Sequence, residues 1–349
     1  MDLTQYLSEL DGQYRLYDVG RRIRKLDKQQ FQQFEDSAIP YPYPYLQHAW
    51  LAMYITQPHD PSNETLWFLK WPLDEQGKIV PYVRDDLVSR LIRLSQQPMK
   101  VDSEIEDPLK DNPFSFNPDD IRRANIHSMI QFSQHRKPSS QYDGVVSYLQ
   151  AGTLNPDQLN QWNTLGIQGI ADVCCRLEQH NMSLSACLAT MPAEALLAFS
   201  QCLEHQSVPL NMAQVAQSRM SKALEEDNQS TVIEACMRIV GAAFSDELRV
   251  NAWQTWLSSA YKKDVACLLT FATRNYDDLA FVPDSIPAFL LSLAELDRGQ
   301  GQFDTFIKVV SDLLFLPGIR NLLLSTLRNP DRPELLGSAL QALLNQKRS

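Results

Sequence analysis

Between residues 230 and 346 the sequence sets helix-start signals at an even pitch, and that pitch limits the fold more than any other feature. The signals fall at Ser230, Asp246 and Lys262, then at Ser285, Gly301, Pro317 and Pro333. Neighbours lie 16 residues apart, except for a 23-residue step from 262 to 285. A helix of about three turns with a short loop fills such a step. Within each unit the apolar residues recur at steps of three and four. Examples are Leu248, Ala252, Trp253, Trp256 and Leu257, then Phe303, Phe306, Ile307 and Val310, then Leu336, Leu340, Leu343 and Leu344. That spacing gathers them on one helical face. Asp246 suits an N-cap, and Pro317 and Pro333 suit a first turn, where a missing N–H is no loss. Two steps together have the length at which helical solenoids repeat. No consensus letters recur, so the period alone predicts an irregular, HEAT-like α-helical array. A globular helical bundle is the alternative.

The chain has 349 residues, which suits about two domains. Twelve Gly is few and agrees with a helical majority. Lys and Arg number 32 against 42 Asp and Glu, a net charge of −10, which argues against nucleic acid or an anionic membrane as partner. The first fourteen residues carry Asp2, Glu9 and Asp11 and no basic residue, unlike a signal peptide. No apolar run reaches membrane length; even residues 303–324 are broken by Lys308, Asp312 and Arg320. Six Cys, all between 174 and 267, do not form a disulfide framework. A reducing cytoplasm is the expected location.

Residues 1–97 read as a small α+β domain: a three-strand antiparallel sheet on two helices. Tyr14-Arg-Leu-Tyr-Asp18 alternates as a strand does, and residues 21–26 extend it past Gly20. Asp27 looks like the cap of a short helix carrying Phe31 and Phe34. Pro40-Tyr-Pro-Tyr-Pro-Tyr45 must be extended, because each residue before a Pro is pushed out of the helical region. Residues 47–57 and 65–73 form a hairpin across turn-forming residues 58–64, and a helix follows to about residue 97. Residues 98–117 are an acidic, Pro-containing linker in which Phe114 and Phe116 can dock locally. Residues 118–349 are helical, with helices expected near 118–136, 140–150, 156–164, 167–180, 192–205 and 211–226 before the regular array. Asn117-Pro118-Asp-Asp120 and Asn155-Pro156-Asp157 supply start signals.

The N-terminal residues also carry a likeness. Tyr17-Asp18-x-Gly20-Arg21-Arg22, the run Pro40-Tyr41-Pro42-Tyr43-Pro44 with Gln47-His48-Ala49-Trp50-Leu51-Ala52, and Trp67-Phe68-Leu69-Lys70-x-Pro72-Leu73-Asp74-Glu75-Gln76-Gly77 form three motifs. Together they resemble a gammaproteobacterial family catalogued only as a domain of unknown function. The resemblance implies a bacterial cytoplasmic protein of this length and implies nothing about chemistry.

Candidate site residues fall in three groups. Arg21 and Arg22, with Arg24 and Lys25, flank an aromatic hairpin and could stack bases as RNA-binding sheets do. The plainer reading is ion pairing with Asp18 and other nearby carboxylates. Trp67, Lys70 and Trp71 belong to a strand in which Trp67, Leu69 and Trp71 share one face and Phe68 and Lys70 the other. An aromatic left on the outer face would be an anchor for a partner; the plainer reading puts both Trp in the core. Tyr276 and Phe281 lie in the long step of the array, residues 274–284. It is expected to fold back over the helices with Asp277 and Asp278 facing water, either as a plug or as a binding loop.

No chemistry announces itself. His48 is a lone His; His127 and His135 are too far apart on a helix to chelate together. Cys174 and Cys175 are adjacent without a CxxC or His partner, and all six Cys read as buried small apolar residues. Nucleophile-elbow, zincin, P-loop and dinucleotide motifs are missing from the sequence. No cofactor or metal is expected. The favoured function is a non-enzymatic interaction or scaffold protein whose partner is another protein. An enzyme with an unrecognised site between the two domains is the alternative, and a nucleic-acid-binding adaptor ranks behind it.

Overall fold

The computed structural model describes residues 3–9, 13–57, 60–96, 112–298 and 303–346. The chain divides into two compact units, Met1–Pro118 and Asp119–Ser349.

The first unit is built on an antiparallel sheet of β1 (Gln13–Asp18), β2 (Arg24–Lys25), β3 (His48–Gln57) and β4 (Asp60–Pro72), in the order β2-β1-β3-β4. Leu16 lies opposite Met53, and Ala52 opposite Phe68. Three helices complete the unit: α1 (Leu3–Glu9), α2 (Lys28–Glu35) and α3 (Pro81–Gln96). Alternation sets the faces. Tyr14, Leu16, Ala49, Leu51, Met53, Leu69 and Trp71 form one core with Phe31 and Phe34 of α2 and Val83, Leu87 and Leu91 of α3.

Several expectations for this unit change. The sheet has a fourth strand, because residues 21–26 pair with β1 as the separate two-residue β2 rather than extending it. Helix α1 was not legible. Its amides at Leu3 and Thr4 donate to the buried Glu35 carboxylate, a cap supplied from far along the chain. β4 begins at Asp60, so the hairpin turn is shorter than 58–64; residues 58 and 59 lie outside the described residues. Within 98–117, residues 98–111 also lie outside them, and residues 112–116 run beside β4. There Lys70 N–H donates to Phe114 O at 2.6 Å, and Phe116 N–H donates to Phe68 O at 3.1 Å.

The second unit begins with α4 (Asp120–Ser133), α5 (Tyr142–Leu154), a 3-10 helix at Pro156–Thr164, α6 (Ile167–Cys174), α7 (Leu177–Leu188), α8 (Ala193–Leu203) and α9 (Leu210–Ala223). It continues with α10 (Ser230–Gly241), α11 (Asp246–Leu257), α12 (Val265–Arg274), α13 (Ile286–Leu296), α14 (Asp304–Leu313), α15 (Pro317–Arg328) and α16 (Glu334–Gln346). Helices α4, α6, α8, α10 and α12 pack side by side as one layer, and α5, α7, α9 and α11 as a second. The last four helices pack on one another. One buried core runs through the unit from Ala124 to Leu343. Among the described residues no helix is long and apolar enough to cross a membrane.

The array departs from the even pitch where particular side chains cap or break a helix. The helix expected at 167–180 is two helices, broken at Arg176, whose φ of −114° and ψ of 39° are not helical. Its guanidinium donates to Asp172 O and Arg136 O, tying down the break. The start expected at Lys262 falls at Val265, because Asp264 caps α12 by accepting from Cys267 N–H at 3.0 Å. Gly301 lies outside the described residues. α14 starts at Asp304 and takes its cap from Asp297, which accepts from the amides of Thr305 and Phe306. Phe303, ahead of that helix, has a φ of 52°.

Candidate interaction surfaces

The three sequence motifs meet on the Pro-Tyr run of the first unit. Tyr41 OH donates to Asp18 Oδ1 at 2.8 Å, and Tyr41 N–H donates to Gly77 O at 2.8 Å. Arg21 Nε donates to Pro44 O at 2.9 Å, and its guanidinium lies 5.2 Å from the centre of the Tyr45 ring. The Arg24 guanidinium stands 4.8 Å from the Tyr43 ring. Gly20 is needed for close approach: a Cβ there would come within 3.1 Å of Tyr45 Cβ. The alternating Pro residues keep the run extended, and each Tyr finds a polar or cationic partner. Burial pushes the Asp18 carboxyl up to about 7, against the opposing pull of Tyr41, Arg24, the Gly20 amide and Arg21.

The sheet face opposite the core carries a second aromatic set. Trp50 Nε1 donates to Tyr45 O at 2.8 Å, Lys70 Nζ lies 4.5 Å over the Trp50 ring, and Phe116 meets Trp50 and Phe68 edge-on at 4.8 and 5.8 Å. Trp50, Phe68, Lys70 and Phe116 are half-buried.

The residues singled out in the sequence are therefore dispersed. Trp71 is fully buried and Trp67 half-buried, both on the core side, and the half-buried aromatics of the outer face include Trp50 and Phe68. Arg21 is 2 % exposed and holds the Pro-Tyr run, while Arg22 is half-buried. Lys70 is on the outer face, as strand parity requires. Tyr276 is 4 % exposed, and Phe281 is 53 % exposed. Asp277 is exposed, but the expectation that Asp278 faces water is corrected. Asp278 is buried and accepts from Trp253 Nε1 at 2.7 Å and Arg249 Nε at 2.9 Å. Two side chains of α11 draw it inward and anchor the 3-10 turn Tyr276–Ala280, which also packs on α15. Trp50 was missed because nothing local reveals which face of a strand the helices cover.

In the second unit a buried carboxylate is paired with arginines of two other helices. Glu204, at the end of α8, pairs with Arg238 of α10 at 2.6 Å and with Arg274 of α12 at 3.0 Å. Arg238 also pairs with Glu234 at 2.8 Å. Burial pushes the Glu204 carboxyl up, but Arg274, Arg238 and His205 together outweigh it and hold it at about 2. All six Cys are buried free thiols, and burial raises Cys174, Cys175 and Cys267 above the ordinary thiol range. His48 Nδ1 lies 2.6 Å from Leu46 O, and burial lowers its pKa. Among the described residues no group of three or more His, Cys, Asp or Glu is placed to hold a metal.

Three large apolar side chains on or beside successive helices of the second layer are exposed. Met182 of α7 is 79 % exposed, Leu210 at the start of α9 is 54 % exposed, and Phe244 just ahead of α11 is 79 % exposed. They stand on successive rungs. Asn181 and Asn211 exchange side-chain hydrogen bonds at 3.1 and 3.2 Å, and Val208 N–H donates to Ala242 O at 3.0 Å. Sequence periodicity could not group these residues, because Met182 lies within α7, Leu210 at the start of α9 and Phe244 in a loop.

These features define a class: a mostly helical protein with a small antiparallel-sheet unit ahead of a layered helical array. Within that class the chain belongs to the family described as "Protein of unknown function (DUF3549)", whose model matches residues 1–344. Comparisons with curated proteins and with solved structures return no match.

Proposed function

We propose that the protein is a non-enzymatic binding protein that engages another protein through the edge of a HEAT-like array. The observation that carries this reading is the exposed edge formed by Met182, Leu210 and Phe244 on consecutive rungs. Isolated exposed apolar residues need no explanation, but adjacent ones at repeat spacing make a continuous surface. The partner contributes an apolar segment that lies along the rungs. Three carboxylates of the array fit the same reading. Glu204, Glu234 and Asp278 are each committed to partners within the fold, so none is poised as an acid or base.

The test is affinity capture of the tagged full chain from its own cells, beside a Leu210→Ser, Phe244→Ser variant. The expected result is a stoichiometric protein partner that the variant loses, with melting of the variant within a degree or two of the parent, about the effect of surface substitutions. Losing one such anchor typically weakens binding about tenfold or more. Capture of the same partner in the same amount by the variant would overturn the assignment to this edge.

A further inference from the structure

We propose that the cleft between β1 and the start of α2 binds a small phosphate-bearing molecule, a nucleotide or a phosphorylated metabolite. The cleft has a volume of about 700 Å³, within the roughly 300–1,000 Å³ of small-molecule sites. It opens where the short β2 stops pairing with β1 and the chain turns into α2. Three cations line it from three parts of the fold: Arg15 on β1, Lys25 on β2 and Lys28 at the first position of α2.

Exposure separates the two lysines of this cleft from the rest of the basic segment. Arg21 and Arg24 hold the Pro-Tyr run, so their charge serves the fold. Lys25 and Lys28 are exposed at the cleft. Among the described residues of the lining Asp27 is the single carboxylate, and it accepts from Gln30 N–H at 2.9 Å as the cap of α2. Among the described lining residues three cations stand against that one carboxylate, in a chain whose net charge is −10. Lys28 Nζ lies 3.8 Å from the Tyr14 ring, whose negative face holds the ammonium beside the cleft that both residues line. Gln13 and Thr56 add an amide and a hydroxyl to the lining.

The grouping of three cations around one cleft favours a compact, multiply charged ligand. A nucleic acid would need positive charge spread along a track, and an extended acidic peptide would need cations spaced along a strand. Phosphate oxygens suit the three-donor ammonium groups of Lys25 and Lys28. This site is independent of the apolar edge in the second unit, so either proposal stands if the other fails.

The experiment is calorimetric titration of the full chain at low salt with pyrophosphate, ADP, a short oligothymidylate and a Glu-rich peptide. Pyrophosphate and ADP are expected to saturate one site, with binding that weakens as salt rises. Lys25→Glu with Lys28→Glu should lower the affinity about tenfold or more, while Lys222→Glu in α9 should leave it unchanged. If the double Glu variant loses its circular-dichroism signal, Lys25→Gln with Lys28→Gln gives the same comparison without charge reversal. Three results would overturn the proposal: no saturable binding of pyrophosphate or ADP, undiminished binding by the folded lysine variants, or binding of the oligonucleotide or peptide alone.

Discussion

Asp18 is a carboxyl that the fold buries while giving it only partial compensation. Its pKa stands at about 7 against 3.8 in the absence of the fold. The sign follows from linkage. A raised folded-state pKa means that stability is full below about pH 4 and is lost as pH rises through about 7. The difference corresponds to about 4 kcal/mol. Asp18→Asn cannot ionise and still offers an oxygen to Tyr41, so its unfolding free energy should be flatter between pH 4.5 and 8 than that of the parent. Urea titrations at the two pH values test this, and parallel losses in both proteins would refute it. Glu204 behaves in the opposite sense. Its pKa is depressed to about 2, so its contribution is present above the ordinary value of 4.5 and is lost as pH falls towards 2. Glu204→Gln leaves Arg238 and Arg274 buried without their shared partner and should cost about 3–5 kcal/mol at pH 7. A variant within 1 kcal/mol of the parent would mean that solvent reaches those guanidinium groups.

The 3-10 turn Tyr276–Ala280 is the element on which the array's long step depends. Tyr276 and Leu279 are buried, and Asp278 is held by two side chains of α11. Tyr276→Ala should therefore destabilise by about 3 kcal/mol or more, visible as a lower melting temperature. Phe281→Ala, at a half-exposed ring, should leave melting nearly unchanged. Equal losses from the two substitutions would mean that the turn does not sort them as described. Elements whose signals are local were legible in the sequence. Examples are α2 behind Asp27, α11 with its apolar face, and the β3–β4 hairpin. Elements fixed by distant partners were not. Helix α1 is capped by Glu35, α14 by Asp297 at the end of α13, and Arg176 ties the α6–α7 break to Arg136 O. Each substitutes a tertiary hydrogen bond for a local start or stop signal, and periodicity carries no trace of that. The candidate surfaces were less legible still. Trp71 and Tyr276 were marked by residue type and proved to be core, whereas Trp50, Lys28 and Phe244 acquire their surroundings only from the fold.

At the scale of the whole molecule, the boundary between the units is a question of where the sheet ends. The composition of residues 98–117 favours cutting the chain after residue 97. Residues 112–116, however, hydrogen-bond to both sides of Leu69 on β4 and bring Phe116 against Trp50 and Phe68. A fragment ending at 97 strips that edge of its partner and bares the ring faces of Trp50 and Phe68. An unpaired, apolar strand edge is a template for association with other chains. We therefore expect residues 1–118 to be a monomeric folded fragment and residues 1–97 to be less stable and to associate. The fragment 119–349 contains the contiguous core from Ala124 to Leu343 and should unfold cooperatively by itself. Denaturant unfolding and light scattering on the three fragments decide the matter. If 1–97 is as stable and as monomeric as 1–118, the pairing of residues 112–116 contributes nothing, and the first unit ends where its composition changes.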